Sequence, residues 1–376
     1  MEYSMLTENT PFYILDDNFD VIGIIDTYES LIWTDRYDKE GDFELCFGVN
    51  AVSRDIIDKI QLEAYCKIDS SEHFMIIKKI EMVRDEDDVM KITLSGISLE
   101  SILSRRILLG KVEFVYVDEN KQEHDVNLQD SIQQMLTDTI IEPADLDRKI
   151  HDFVFIPSED ERITSLMFRA TYENENLGDA VQKLCAEYNL GYKIIVNKEK
   201  QIIFSLYIGE DRSNNVIFSP FYDNIYDTNF YSSTEGYANY IFIEKSSHER
   251  DKKTEYDLTS AYTTLMMPTG IRRIEVYEKK NKLFDNDDSQ TVSDEELQKK
   301  AVKFLRKENG IVSAFEGEVI PFVVFTYGTD YFTGDHVQLV DYFGNSKTVY
   351  ISEVVISYDD EGLKILPTFE EIEETE

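Results

Sequence analysis

The side chains that could carry out chemistry are few and widely spaced. The five His residues stand at positions 73, 124, 151, 248 and 336, and no two have the i and i+4 spacing of a zinc-binding helix. We therefore predict that they are surface or turn residues. The three Cys residues, at positions 46, 66 and 185, form no CxxC pair and suggest small buried side chains. GxSxG, P-loop and GxGxxG motifs are absent from the sequence.

Carboxylates are abundant, with 75 Asp and Glu among 376 residues. A glycosidase pair cannot be singled out among them, because such a pair is defined by its separation in space. The run from Asp285 to Glu296 places oxygen ligands at positions 1, 3, 5, 9 and 12 of a calcium loop. However, Gln290 stands where that loop needs Gly, so we expect a solvated loop. The sequence thus predicts no catalytic residue, no metal site and no cofactor.

One basic stripe stands out from this acidic background. A helix is predicted from Asp294 to Glu308, with Ser293 and Glu296 as a capping box. Its basic residues allow two interpretations: a solvated face with ordinary i, i+4 pairs such as Glu295 with Lys299, or a contact with an acidic neighbouring subunit. The residues of that possible contact are Lys299, Lys303, Arg306 and Lys307.

The overall charge restricts the classes of partner. The formal net charge of -37 disfavours retention of nucleic acid and binding to anionic membrane surfaces. No apolar run approaches the length of a membrane span, and the first residues lack the features of a signal peptide. We therefore expect synthesis in the cytosol. The length suggests two or three domains, and the 12% aromatic content favours β-rich structure.

Local patterns predict the elements that must hold these residues. Phe43, Leu45 and Phe47 alternate with polar residues as in a half-buried strand, and Gly41 precedes that strand. We expect Gly41 to hold a backbone shape that a β-branched residue resists. Further predictions are strands at Phe12–Leu15 and Val21–Ile25, and helices starting at Leu128 and Leu177 with caps at Asn127 and Asn176.

Five short motifs, in order from about residue 12 to 370, carry a resemblance to a known family. The strand with the only Trp, followed by Arg-Tyr and Gly-Asp-Phe, resembles the start of the tail-hub proteins of long-tailed bacteriophages of the siphophage type. Later segments, such as Gly-Glu-Asp-Arg-Ser at 209–213, resemble the same family. The motif residues are Trp33, Arg36, Tyr37, Gly41, Asp42, Phe43, Gly209, Asp211, Arg212, Ser213, Asp223, Asn224, Arg272, Arg273, Tyr331, Gly334 and Asp335.

The resemblance implies a fold that is mainly β with some α structure. It implies two related β-barrel tube domains, an inserted α+β domain and a short helical insertion. We predict a first barrel from 1–110 plus about 214–232, and an inserted domain at 111–213. The second barrel would take 233–280 plus 311–376, and the helical insertion 281–310. The acidic-turn segments near 80–92 and 354–365 resemble each other, as related barrels would predict.

The resemblance also implies a structural role. Such a hub would be a homotrimer that closes the distal end of the tail tube and lets genome DNA pass without binding it specifically. Its partners would be the distal tail protein, the tape-measure protein and a tail fibre or receptor-binding tip protein, with no stable membrane insertion. Members that carry peptidoglycan-cutting or receptor-binding functions do so on a C-terminal arm; this sequence stops after the closing strand of the hub, so we expect no enzymatic role of such an arm. We expect a location at the virion tail tip after assembly in the host cytoplasm.

Two other functions stay open on the sequence. The first is a tip protein that binds cell-wall glycan through exposed tyrosines such as Tyr222, Tyr226 and Tyr231. The second, which we weigh less, is a tail-associated peptidoglycan hydrolase.

Overall fold

The structure is a computed structural model that describes residues 10–84, 89–119, 121–250, 253–284, 293–319, 324–342 and 344–372. The chain divides into two compact units. Unit 1 comprises Met1–Thr228 and Glu316–Glu376, and unit 2 comprises Asn229–Phe315. The chain passes between the units within two strands, Ile225–Ser233 and Val312–Val319.

The strands are the main elements of the described ranges. The first twelve are Phe12–Leu15 (β1), Val21–Ile25 (β2), Ser30–Arg36 (β3), Asp42–Gly48 (β4), Tyr65–Ile68 (β5), Met75–Arg84 (β6), Met90–Ser98 (β7), Ile107–Phe114 (β8), Tyr116–Val117 (β9), Glu123–His124 (β10), Val126–Asn127 (β11) and Phe153–Ile156 (β12). The others are Met167–Phe168 (β13), Ala170–Asn176 (β14), Gly191–Val196 (β15), Ile202–Tyr207 (β16), Ile217–Phe218 (β17), Ile225–Ser233 (β18), Tyr240–Arg250 (β19), Lys253–Tyr262 (β20), Glu275–Lys279 (β21), Val312–Val319 (β22), His336–Val340 (β23), Ser346–Asp359 (β24) and Gly362–Glu371 (β25).

Helices are fewer than strands in the described ranges. The α-helices are Arg54–Ile57 (α1), Leu128–Leu136 (α2), Glu161–Thr164 (α3), Leu177–Glu187 (α4) and Asp294–Asn309 (α5). Turns of 3₁₀ helix occupy Val49–Ala51, Leu99–Arg105, Leu146–Arg148, Pro220–Tyr222, Gly270–Arg272 and Lys280–Phe284, and a π-helical turn spans Thr137–Ile141. The predicted N-caps of α2 and α4 are confirmed, because the side chains of Asn127 and Asn176 accept backbone N–H groups of the first turn.

A 13-stranded sheet dominates the fold, which confirms the mainly β prediction. Its principal order is β18-β22-β25-β24-β3-β4-β7-β6-β5-β1-β2, with β23 paired to β24 and β17 paired to β23. Among the described strands this path is open and does not close into a barrel. The central contact pairs β24 with β3, so that Glu353 lies opposite Arg36.

The same strand order occurs twice within this sheet. One half reads β3-β4-β7-β6-β5-β1, and the other reads β18-β22-β25-β24-β23-β17. Strands at matching places also follow one another in the same order along the chain. In both halves a β-bulge interrupts the long hairpin soon after its start, at Ile77/Lys79 and at Ile351/Glu353. The halves differ at their ends, because β1 pairs with β5 antiparallel whereas β17 pairs with β23 parallel.

Residues between β7 and β17 form an α+β substructure with its own core. The three-stranded sheet β12-β16-β15 packs with α2 and α4, around buried side chains such as Leu128, Val181 and Phe204. That core also takes in Ile102 and Leu103 of the 3₁₀ helix. The substructure is therefore attached to the main sheet through shared apolar packing rather than through a flexible linker.

Unit 2 has two layers. The sheet β20-β19-β21 lies under α5, and the core between them contains Ile241, Ile243, Leu297, Ala301 and Leu305. The helix prediction for this segment is confirmed, including its cap, because Ser293 Oγ accepts the N–H of Glu296 at 3.2 Å. The calcium-like run at 285–292 lies outside the described residues.

The compact units divide the chain differently from the four predicted segments. Residues 316–376 belong with 1–228, not with 233–280. The strands near 214–232, predicted for the first barrel, stand in the second half of the repeated order. The reason is the pairing of β24 with β3, two segments more than 300 residues apart, which local sequence patterns do not reveal.

Candidate functional site: a junction built by the motif residues

Arg36 ties the first motif to the closing hairpin of the chain. It stands at the end of β3. Its Nη1 lies 2.5 Å from Asp42 Oδ2 and donates to the carbonyl of Glu40 at 2.8 Å, and its Nε donates to the carboxylate of Glu353 in β24. One guanidinium therefore fixes the β3–β4 turn and joins the two halves of the sheet.

Tyr37 fills the centre of this junction. Its hydroxyl donates to the carbonyl of Asn189 at 2.9 Å, and its backbone N–H donates to the carbonyl of Ser352 at 3.0 Å. Two glycines make room for its ring. A Cβ on Gly191 or on Gly334 would lie 2.4 Å or 2.3 Å from the nearest ring atom. Gly334 also has a φ of +87°, which side chains other than glycine rarely adopt.

Asp335 holds the second side of the junction. This buried carboxylate accepts the backbone N–H of Glu210 at 2.8 Å, the backbone N–H of Phe332 at 2.9 Å and Nε of Arg212 at 2.7 Å. Burial raises the pKa of Asp335, although Arg212 and the backbone N–H groups oppose that shift. Gly209 is required beside it, since a Cβ there would lie 1.9 Å from the carbonyl oxygen of Gly334.

Gly41 acts by close packing rather than by an unusual backbone shape, which corrects our expectation. The φ angle of Gly41 is not positive. A Cβ at this position would lie 2.2 Å from the carbonyl oxygen of Thr34. The backbone N–H of Gly41 donates to Ser98 Oγ, and its carbonyl accepts the N–H of Ser98, both at 2.9 Å. Gly41 thus lets β3, β4 and β7 approach closely.

Other motif residues pack in the apolar cores near this junction or stabilise turns. Trp33 and Phe43 are buried with ring centroids 5.7 Å apart, and Tyr331 packs edge-on against Phe218. Asp211 accepts both the N–H and the hydroxyl of Ser213. Two further motif residues, Asp223 and Asn224, form the turn before β18, where Asp223 has a left-handed φ of +50° and Asn224 bonds Ser219 and Ile217.

Two motif residues and the basic stripe lie elsewhere, in unit 2. Arg273 stacks on Tyr240 at 3.5 Å from the ring centroid, and Arg272 is exposed beside it. On α5, the stripe of Lys299, Lys303, Arg306 and Lys307 is exposed. None of these four has a carboxylate partner within 4.0 Å among the described residues, so the expected pair of Glu295 with Lys299 is not formed.

A buried charged cluster was missed by the sequence analysis. His73 is buried, which corrects its assignment to the surface, and its Nδ1 lies 3.1 Å from Glu100 Oε1. The same oxygen accepts the N–H of Ile194 at 2.8 Å. Nearby, the buried Asp35 accepts hydrogen bonds from Ser71, Tyr327 and Trp33. The only sequence signal was an acidic residue inside an apolar run, Leu99-Glu100-Ser101-Ile102.

The cluster changes the protonation of its members. Burial lowers the pKa of His73, but the charges of Glu100 and Asp35 outweigh it and raise that pKa to about 9. Burial alone would raise the pKa of Glu100, yet His73 holds it below its ordinary value. At neutral pH the two groups therefore form a buried ion pair. The bond to Ile194 makes this pair a link between the main sheet and the α+β substructure.

The junction and the cluster suit mechanical rigidity. Arg36, Asp335 and the Oε1 atom of Glu100 each form hydrogen bonds between segments. Among the described residues, no group of three or more His, Cys, Asp or Glu side chains is placed to hold a metal ion. Within the same part of the chain, no helix is both long enough and apolar enough to cross a membrane.

Comparison with known proteins decides the family. Residues 11–369 match the siphovirus ReqiPepy6 Gp37-like protein family, which covers nearly the whole chain. The chain belongs to this siphovirus family. No curated protein sequence matches it significantly. The predicted resemblance to phage tail proteins is therefore confirmed at the level of the family.

Solved structures of phage tail proteins share the fold of this chain. It is similar to the 43 kDa tail protein of prophage MuSo2 from Shewanella oneidensis, with a TM-score of 0.64 and 13% identity, covering 97% of this chain and 98% of that one. A tail protein from Neisseria meningitidis MC58 gives a TM-score of 0.59 at 11% identity, with 96% and 97% covered. Prophage tail protein gp18 from Listeria monocytogenes EGD-e gives 0.53 at 11% identity, with 95% and 94% covered.

Proposed function

We propose that this tail protein is the hub of the tail tip or baseplate, a homotrimer that closes the distal end of the tail tube and opens for DNA. The observation that carries the proposal is the strand order that occurs twice in one chain. Three copies would offer six related surfaces around the axis, which is what docking a three-fold ring onto a six-fold tube requires. The two related barrels belong to this proposal, with β3-β4-β7-β6-β5-β1 and β18-β22-β25-β24-β23-β17 as their strands.

The junction supports a mechanical role. Loads along a tail tube would be transmitted between the halves of the sheet, and Arg36, Tyr37 and Asp335 join segments that are far apart in the chain. In this role the protein is structural rather than enzymatic. Its partners would be the distal tail protein, the tape-measure protein and a fibre or receptor-binding tip protein. DNA would pass without specific binding, and the protein would act at the virion tail tip without membrane insertion.

The mass of the purified protein tests the proposal. Native mass spectrometry over a range of concentrations, alone and with the distal tail protein, should reveal a species of three 43.8 kDa chains. A stable hexamer, or a monomer that persists when the distal tail protein is bound, would contradict the trimeric hub.

A glycan-binding tip protein is the second candidate. The observation in its favour is that Phe221, Tyr222 and Tyr342 are exposed together, with Phe221 and Tyr342 rings 6.4 Å apart. Tyr226 is also exposed, whereas the side chain of Tyr231 lies outside the described part of the structure. A glycan array with the purified protein tests this candidate. Peptidoglycan zymography tests the hydrolase.

A further inference from the structure

The negative charge of the protein is confined to one of its two units. Unit 2 contains 14 Lys and Arg against 15 Asp and Glu, so it is nearly neutral. Unit 1 contains 24 Lys and Arg against 60 Asp and Glu and therefore carries almost all of the net charge of -37. Copies of this chain repel one another through unit 1, and unit 2 is the part that can approach an acidic surface without that repulsion.

Unit 2 also presents four cations that have no carboxylate partner within 4.0 Å among the described residues. Lys299, Lys303, Arg306 and Lys307 form one stripe along the exposed side of α5, opposite the face that packs on the sheet. Elsewhere many Lys and Arg are paired, as in Lys245 with Asp294. Free cations in a row are a ready partner for an acidic surface, because each can form a charge-assisted hydrogen bond.

An exposed apolar loop lies in the same unit. Between β20 and β21, residues 263–274 contain no Asp or Glu. Leu265 and Ile271 are fully exposed, and Met266 and Met267 are at least half exposed. Arg272 is also exposed, so this loop presents large apolar side chains and a cation to solvent. Large apolar side chains exposed together in one segment are typical of interaction sites.

Hydrogen bonds place the loop and the end of the stripe together. The carbonyl of Asn309, at the C-terminus of α5, accepts the N–H of Ala238 at 2.9 Å, and Asn309 Nδ2 donates to Gly236. One residue further on, Asn239 Nδ2 donates to the carbonyl of Arg272 at 2.8 Å, and its own carbonyl accepts the N–H of Thr263. The segment 236–239 thus joins the C-terminal end of α5 to both arms of the loop.

We propose that this end of unit 2, defined by the loop 263–274 and the stripe on α5, docks on the acidic unit 1 of a neighbouring copy of the same chain. The inference rests on the proposed homotrimer and names the surface through which its copies meet. Charge complementarity identifies a second copy of the chain as the partner, since each copy supplies both a neutral-to-basic end and a strongly acidic unit. The loop supplies apolar contact area at the centre, and the stripe supplies polar contacts at its rim.

Two pairs of matched variants test the surface in the full-length chain. Lys303→Glu with Lys307→Glu reverses the stripe, and Lys149→Glu with Lys198→Glu makes the same charge change at exposed positions of unit 1. For the loop, Leu265→Ser with Ile271→Ser is compared with Leu62→Ser and Leu146→Ser, which are also exposed. All these side chains lie on the surface, so folding is expected to be retained and is checked by circular dichroism.

Sedimentation velocity and carbodiimide cross-linking give the readouts. In a mixture of ¹⁴N and ¹⁵N copies, cross-links between copies should join stripe lysines to carboxylates of residues 1–228 or 316–376. The stripe and loop variants should weaken self-association by at least about tenfold, while their controls should not. Association that survives both variants, or links between copies that avoid the stripe, would overturn the inference and leave the trimer itself standing.

Two other outcomes separate this inference from the proposed function. If the wild-type chain neither associates nor cross-links between copies, alone or with the distal tail protein, both the surface and the homotrimer fail. If phosphatidylglycerol vesicles or duplex DNA bind the wild-type chain and not the stripe variant, while self-association is unchanged in that variant, the surface serves a membrane or nucleic acid instead and the inference is overturned.

Discussion

His73 and Glu100 show how a buried charge pair can hold two substructures together. Glu100 follows β7 in the 3₁₀ helix, His73 precedes β6, and the shared oxygen reaches the backbone of β15. Removing one member of a buried pair leaves the other uncompensated, which costs about 3–5 kcal/mol. The pair therefore makes the attachment of the α+β substructure sensitive to single substitutions.

The same pair predicts a pH dependence. The folded state raises the pKa of His73 from 6.5 to about 9, so its contribution is fully present below pH 6.5 and is lost as pH rises through 9. The depressed pKa of Glu100 adds stability that is present above pH 4.5 and lost in acid. We expect the stability gap between the wild type and His73→Gln to be about 3 kcal/mol near pH 6 and to shrink by pH 10. Urea unfolding at each pH measures it.

The exposed His151 provides the control for this experiment. His151→Gln should match the wild type at every pH. A gap for His73→Gln that stays constant from pH 6 to pH 10 would show that the imidazole is not charged in the folded protein.

The close packing around Gly41 predicts that a larger side chain there destabilises the fold. Gly41→Val should lower the stability by about 1–3 kcal/mol, because its side chain would collide with the carbonyl of Thr34. Gly48, at the other end of β4, has no atom within 4 Å of an added Cβ, so Gly48→Val should be nearly neutral. Thermal melts of the two variants make the comparison, and equal melting temperatures would refute the packing argument.

At the scale of elements, α4 depends on its cap and on close packing. Asn176 Oδ1 accepts the N–H groups of Gly178 and Asp179, and its Nδ2 donates to the carbonyl of Ser104 at 2.8 Å. Asn176→Ala should destabilise α4 by about 1–2 kcal/mol. Asn176→Asp keeps the cap and loses only the bond to Ser104, so the stability of its α4 should lie between those of the wild type and Asn176→Ala. Hydrogen exchange of α4 amides measures both, and an unchanged exchange in Asn176→Ala would contradict the role.

Elements with local signals could be predicted from the sequence, and those defined by distant partners could not. Capping residues and apolar spacing were enough for α2, α4 and α5, and alternation of apolar and polar residues was enough for β4. The pairing of β24 with β3 depends on a contact across more than 300 residues, which no local pattern encodes. For the same reason, each motif could be recognised in the sequence, but the contacts between motifs around Tyr37 could not be predicted from it.

At the scale of the whole molecule, the acidity is expected to serve DNA passage. A basic lumen would bind phosphates and stall the duplex, whereas an acidic one repels it and leaves it mobile. We predict that two acidic runs contribute to the wall: residues 85–88, which lie outside the described part of the structure, and the turn at 359–361. Replacing Glu86, Asp87, Asp360 and Glu361 by Lys should leave assembly and adsorption intact and slow DNA ejection, most at low salt where screening is weak.

A control with the same charge change keeps this prediction specific. Four exposed acids of the α+β substructure, replaced by Lys, should leave the ejection rate unchanged; they are Glu119, Asp138, Glu187 and Glu199. If the turn variant ejects DNA at the wild-type rate, or if both variants slow it equally, the acidity serves solubility rather than passage.

The hub role itself is tested most directly by cryo-electron microscopy of the tail tip in assembled particles, with the chain traced in the density. We predict three copies around the tail axis at the distal end of the tube, each placing both halves of its repeated strand order, β3-β4-β7-β6-β5-β1 and β18-β22-β25-β24-β23-β17, against the ring above. Copies located along the tube or on peripheral fibres, or a ring of any other number at the tip, would contradict it.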